Sequence, residues 1–198
     1  MQKQFIEIGS NDFDTCLPLA RNGWKGVMIE PILEIYKNIA PEAEKCGVKA
    51  LNLAVTDYDG EIDFAVPFLD ASAGRHPAQR WVRGIGHVIS ENHKGMNNIG
   101  LLQSPEGRKH LMKTIKIPCK KLDTIIEDSN IKHIDYLKID VEGHELNIID
   151  AYSWRLIPTF IKIEHEHLDD EGKGRLQNIL IGRGYVTYKE KHDIYGIY

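Results

Sequence analysis

Phe5-Ile6-Glu7-Ile8-Gly9-Ser10-Asn11-Asp12 opens the chain with a short apolar run that breaks at a glycine into small polar residues. The run has the length of a buried strand, and its tail has the chemistry of a turn. A helix is expected over about 13–22, where Phe13, Leu17 and Ala20 share a face and Gly23 closes the element. Gly26-Val27-Met28-Ile29 reads as strand two. Pro31 suits the first turn of the next helix, whose Ile32, Tyr36, Ile39 and Ala43 share a side. Gly47 stops it, and Val48 to Val55 reads as strand three. Strands alternating with amphipathic helices are the pattern of βα units and a parallel sheet.

Beyond Asp57-Tyr58-Asp59-Gly60, a turn, Ile62, Phe64 and Val66 alternate as in a strand with one buried face. Residues 67–113 show no sustained period, and an irregular segment this long inside a compact domain suits a lid. Order returns at Ile115 to Pro118, with a short helix at Leu122 to Glu127, a strand at Ile134 to Ile139 and a helix at Glu145 to Leu156. Phe160 to Ile163 makes a further strand and Gly172 to Arg183 a helix. Gly184 to Val186 and Ile194 to Tyr198 close the sheet as an antiparallel edge pair. The expected architecture is α/β, one domain over 1–198 with a doubly wound, mostly parallel sheet and 67–113 inserted as a lid.

The bulk properties narrow the function. With 198 residues, 42% hydrophobic and 27% charged, the chain can bury a core without disulfide or metal staples. A formal net charge of -4 argues against broad attraction to nucleic acid or an anionic membrane. Cys16, Cys46 and Cys119 are far apart and form no CxxC pair, which suits buried thiols in a reducing compartment. No apolar stretch approaches a membrane span, and Met1-Gln2-Lys3-Gln4 leads directly into a strand rather than a signal peptide. The cytoplasm is the expected location.

In sheets of this kind ligands sit beyond the carboxyl ends of the strands, where strand order reverses. Dinucleotide folds place G-x-G-x-x-G after strand one, so that backbone can approach a pyrophosphate. Here Gly9 stands alone between Glu7 and Asp12. Two carboxylates repel a pyrophosphate and attract a cation. S-adenosylmethionine carries a sulfonium and an ammonium and no phosphate, so the loop favours it over NAD. Glu30 ends strand two 21 positions after Gly9, near the spacing at which an acid accepts hydrogen bonds from ribose hydroxyls. It is equally suited to capping the helix that follows. Asn52 and Ala54, after strand three, are placed to contact the adenine, although Asn52 also suits a loop-satisfying role.

At the other end of the sheet, Leu137-Lys138-Ile139-Asp140 runs into Val141-Glu142-Gly143-His144-Glu145. Asp140, Glu142, His144 and Glu145 fall within six residues at the end of a central strand, where ionisable groups are costly to desolvate unless used or paired. Asp140 is expected to face the methyl donor, Glu142 and His144 a substrate, with Asp140 or His144 as base. Glu164 ends the next strand beside Asp140. These two carboxylates with a nearby histidine can hold a Mg2+-like ion, or Glu164 can orient the acceptor without metal. In Glu164-His165-Glu166-His167 the two glutamates share one strand face, and the histidines are expected in a solvated loop. The spacing does not match the HExxH of zinc proteases.

These stretches resemble the FkbM family of S-adenosylmethionine-dependent methyltransferases. The resemblance rests on Ile6 to Asp12, Met28-Ile29-Glu30-Pro31, Ala54-Val55-Thr56-Asp57 with Asp59-Gly60 and Phe64, Leu122-Asp123-Thr124-Ile125, Ile134 to Glu145, and Ile163-Glu164. It implies a Rossmann-like class I fold with a seven-stranded sheet, and methyl transfer to a hydroxyl on a sugar or small natural product. It places Glu7, Gly9, Asn11 and Glu30 on the cofactor, with Ser10, Asp12, Pro31 and Asp140 in the same set. Asp140, Glu142 and Glu164 would surround the acceptor. Glu7 stands where the family commonly has aspartate. The chain also begins almost at strand one, so part of the lid is expected from 67–113 or from a partner subunit in a homo-oligomer. Arg75, His76, Arg80, Trp81, Arg83 and His87 would then supply substrate contacts. An NAD-dependent reductase, a methyltransferase acting on RNA and a non-catalytic binding module remain as alternatives.

Overall fold

The structure, a computed structural model, describes residues 2–11, 15–67, 86–89 and 112–198. Its centre is a seven-stranded sheet in the order β10-β11-β9-β8-β1-β2-β3. β1 spans Gln4–Ile8, β2 Lys25–Ile29, β3 Lys49–Leu51, β8 Tyr136–Ile139, β9 Phe160–Glu164, β10 Val186–Lys189 and β11 Asp193–Ile197. Five neighbours, from β3 to β9, are parallel, whereas β11 is antiparallel to both β9 and β10. The sheet is therefore mixed. Its reversed strand lies toward the edge, where a hairpin returns the chain without a crossover helix.

Alternation along β1 sends Phe5 and Ile6 to opposite faces, and both faces are covered. Phe5 and Met28 pack against Leu17 and Ala20 of α1 (Leu17–Arg21) and Ile39 and Ala43 of α2 (Leu33–Lys45). Ile6, Ile8, Val27, Ile29 and Leu137 meet the opposite layer. That layer comprises α3 (Leu122–Asp128), α4 (Glu145–Ala151) and α5 (Asp170–Gly182). Ile6, Ile139, Ile161 and Ile163 are fully shielded from solvent; such side chains contribute about 1.5–3 kcal/mol each through burial.

Several boundaries differ from the sequence expectations. α1 begins at Leu17, because Pro18 lacks an N–H and fits only the first helical turn. Pro31 precedes α2 instead of starting it: the backbone stays extended through Ile32, whose N–H donates to Glu30 Oε1 at 2.8 Å. The expected third strand divides at Asn52, whose amide donates to the carbonyls of Glu30 (2.8 Å) and Pro31 (3.0 Å) and turns the chain. The segment beyond it is β4 (Ala54–Thr56) of a second, four-stranded sheet ordered β4-β7-β5-β6. There β5 is Gly60–Pro67, β6 His87–Val88 and β7 Met112–Lys121, so both ends of the 67–113 stretch are strand. The rest of that insertion, with Arg75, His76, Arg80, Trp81 and Arg83, lies outside the described residues, as does Asp12. α4 stops at Ala151, five residues short of Leu156, where Tyr152 becomes extended and donates its hydroxyl to the Leu156 carbonyl.

Candidate active site

Sheet order reverses at β1, which lies between β8 and β2, and the loops beyond these three strands are tied together. The N–H groups of Gly9 and Ser10 both donate to the Ile29 carbonyl at 3.0 Å, and Asp140 N–H donates to the Ile8 carbonyl at 2.9 Å. Gly9 has φ +78, and a Cβ there would fall 1.7 Å from the Asp140 carbonyl oxygen. Only glycine lets the first loop lie against the end of β8. Asn11, also left-handed at φ 48, then donates its N–H to Glu30 Oε2 at 2.9 Å.

Glu30 is thus held by two backbone donors, one on each oxygen, and each oxygen retains a lone pair for a further donor. Burial pushes its carboxyl up to about 7. The Ile32 and Asn11 N–H groups oppose that rise, and the charges of Glu7 and Asp140 add to it.

Beside Glu30 opens a cavity of about 480 Å³, a size that suits a small-molecule ligand. At one end its wall is apolar, formed by Ile32, Leu53, Ala54, Phe64 and Val88. At the other it is lined by Asp140, Glu142, Glu164 and His167, with Glu166 and His192 beyond. Gly9, Asn11, Glu30 and Pro31 form the wall between. The ladder pairs Ile139 with Ile163, which sets Asp140 and Glu164 side by side as the strand ends predict.

Five described residues placed at the site by sequence do not line this cavity: Glu7, Ser10, Asn52, His144, and His87, which is buried in β6. Glu7 is wholly buried behind the first loop, where Oε1 accepts the Cys16 N–H at 2.9 Å and faces Lys138 Nζ at 3.5 Å. Burial raises it to about 7 against the pull of Lys138 and Cys16. Ser10 is also fully buried, and Asn52 is engaged with the Glu30–Pro31 backbone. His144 stands at the N-cap position of α4 without a side-chain capping bond, and lines a separate hollow with Asp57, Tyr58 and Asn147. Burial lowers its pKa, and Asp57 partly offsets this. The preceding Glu142 and Gly143 both have positive φ (60 and 104), and this bend sends Glu142 and His144 to different hollows. Glu145 secures the bend, its Oε1 accepting from Val141 (3.2 Å) and Gly143 (3.0 Å).

The structure brings to the site residues that the sequence assigned to a solvated loop or did not name. β9 ends at Glu164, so strand alternation does not extend through the histidines. His167 swings to Glu142, its Nε2 2.8 Å from Oε2, and is nearly buried instead of solvated. His165 is buried too, with Nε2 3.1 Å from the Glu190 carbonyl. From the β10–β11 hairpin, His192 reaches Glu166 at 2.5 Å, and Asp193 faces Lys162 at 3.5 Å. The paired acids and histidines near 164–167 were one available signal and the expected antiparallel edge pair another, but nothing in the spacing aimed His192 at Glu166. Burial, followed by the charges of Asp140, Glu142, Glu145 and Glu166, raises the Glu164 pKa far above the carboxylate range. The site can therefore accept hydrogen bonds, hold protons and attract cationic groups.

The Methyltransferase FkbM domain model matches residues 7–187. The chain belongs to the FkbM methyltransferase family. The match takes in both ends of the cavity, from the Gly9 loop to the β9 strand end, so the protein is a methyltransferase. No curated protein and no solved structure matches the chain. Among the described residues, no helix of this methyltransferase is long and apolar enough to cross a membrane.

Proposed function

We propose that the protein is an S-adenosylmethionine-dependent O-methyltransferase acting on a hydroxyl of a sugar or small natural product in the cytoplasm. The observation that carries the reading is Glu30, a buried acid pinned at the end of β2 between the Gly9 loop and an apolar slot. Its remaining lone pairs suit vicinal ribose hydroxyls, and the slot of Ile32, Leu53, Phe64 and Val88 suits a purine. The order of the seven strands and the helices on both faces support a class I methyltransferase fold. A loop with one glycine and nearby acids favours a cationic cofactor over a pyrophosphate.

Bound here, S-adenosylmethionine would supply a methyl group made electrophilic by its sulfonium. Gly9 and Asn11 shape the wall, Glu30 fixes the ribose, and Asp140 presents negative charge toward the positive end of the cofactor. Positioning an acceptor against such a centre can supply about 7–11 kcal/mol of the barrier. Glu164 and the Glu142–His167 pair lie next to Asp140 and can orient the acceptor hydroxyl and receive its proton. His144, in its separate hollow, leaves Asp140 or this pair for that task. Three cysteines with no CxxC spacing suit a reducing compartment, and the negative net charge suits a small acceptor over nucleic acid. A homo-oligomer belongs to the same proposal.

Calorimetry with S-adenosylhomocysteine and with NADH tests the assignment. Saturable binding of S-adenosylhomocysteine alone is the expected result. Binding of NADH alone would overturn it in favour of a reductase.

A further inference from the structure

We propose that Glu142, Glu164 and His167 form a binding site for a divalent transition-metal ion, of which Mn2+ is the type, at the acceptor end of the cavity. One carboxylate oxygen from each glutamate and a ring nitrogen of His167 lie within 4.8 Å of one another. The shortest edge, Glu142 Oε2 to His167 Nε2, is 2.8 Å. Two ligands bound about 2.1 Å from one ion at a right angle are about 3.0 Å apart, so this edge needs little adjustment. Glu164 Oε2 independently points to a ligand: it is buried, and no hydrogen-bond partner for it is present among the described residues.

The backbone is shaped to bring these groups together. Glu142 is held at φ 60, a left-handed conformation that is unfavourable for a non-glycine residue and that clusters at functional sites. The turn after β9 carries His167 back over Glu164 to reach it. Two carboxylates and a neutral imidazole also balance the charge of a divalent ion. The imidazole suits a transition metal such as Fe2+ or Zn2+ and the two carboxylates suit Mn2+, whereas Mg2+ prefers oxygen ligands throughout. Asp140, the other acid expected at an ion, sits 3.8 Å from Lys138 Nζ and is already faced by a cation.

Three protein ligands leave positions open on an octahedral ion. Two adjacent ones suit an acceptor whose hydroxyl neighbours a second oxygen, such as a vicinal diol or a hydroxy acid. The ion would make that hydroxyl easier to deprotonate. The metal site stands on its own geometry, whereas this use of it rests on the methyl-transfer reading.

Titrating metal-free protein with Mn2+, followed by the electron paramagnetic resonance of the free ion, tests the site. One Mn2+ per chain is expected at about 10⁻⁴ M or tighter, a range typical of weaker protein sites. His167→Ala and Glu164→Gln should each weaken it by at least about 10–100-fold, the loss that follows removal of even an outer-shell partner. Glu164→Gln keeps the shape of the side chain and stands in if His167→Ala fails to fold. Absence of saturable binding, or wild-type affinity in a folded variant, would overturn the proposal. S-adenosylhomocysteine binding by the same samples reports separately on the cofactor reading, so either can fail alone.

Discussion

Glu7 and Lys138 stand opposite one another in the parallel ladder of β1 and β8, the ammonium 3.5 Å from Glu7 Oε1 and both side chains buried. The same ammonium lies 3.8 Å from Asp140. One buried lysine thus neutralises the acid that holds the first loop and steadies the acid that faces the cavity.

Removing that lysine should therefore cost much more than a surface charge. Lys138→Met is expected to destabilise the fold by about 3–5 kcal/mol, because it leaves Glu7 buried without the facing cation. Glu7→Gln combined with Lys138→Met should recover part of the loss. Urea unfolding of the wild type and these two variants measures this, and an undiminished loss in the double variant would show that Glu7 is not the cause.

Glu30 is expected to dominate cofactor affinity. Hydrogen bonds to a charged partner contribute about 1.5–3 kcal/mol, so Glu30→Ala should weaken S-adenosylhomocysteine binding by about tenfold or more. Calorimetry gives the number directly. Unchanged affinity in a folded variant would remove the ribose role and leave Glu30 as a brace for Asn11 and Ile32.

A methyl group at Gly9 has no room. The Cβ of Gly9→Ala would meet the Asp140 carbonyl at 1.7 Å, and the φ of +78 is unfavourable to any L side chain. The left-handed conformation alone costs about 1–2 kcal/mol, and the displaced loop adds to it. Thermal unfolding should show a clear drop, accompanied by loss of S-adenosylhomocysteine binding. A variant with wild-type stability would mean that the Gly9 loop can move away from β8.

Glu145 should leave a signature in the pH dependence of stability. Burial lifts its carboxyl from 4.5 to about 7, opposed by the N–H groups of Gly143, Glu145 and Val141. Between these values the folded chain keeps a proton that the unfolded chain releases. Its contribution is therefore full below 4.5 and is lost as pH rises through about 7. At about 1.4 kcal/mol per unit, the whole change is of order 3 kcal/mol. Comparing the wild type with Glu145→Gln by chemical unfolding at each pH isolates this group. The advantage of the wild type should shrink steadily across the window; a constant difference would mean that Glu145 titrates normally.

Much of the site could be read from local pattern. Alternation and turn chemistry located the strand ends at Gly9, Glu30, Asp140 and Glu164, and parallel strands must open their ligand sites at those ends. Each of these four residues lines the cavity. Asn52 shows where such reading runs out: an apolar run suggested one strand, yet its amide bonds to the β2 loop and the run divides between two sheets.

What the sequence determined by itself is the set of strand ends, because the period of side chains along a strand and the turn residues after it are short-range properties. The tertiary structure alone decided which of those ends share a cavity and with which outsiders. His167 reaches Glu142 through the turn after β9, and His192 arrives on a hairpin that pairs across the sheet edge. His144, two residues from Glu142, leaves for another hollow through two left-handed residues. Such placements depend on long-range pairing and on single backbone torsions, neither of which follows from the spacing of residue types along the chain.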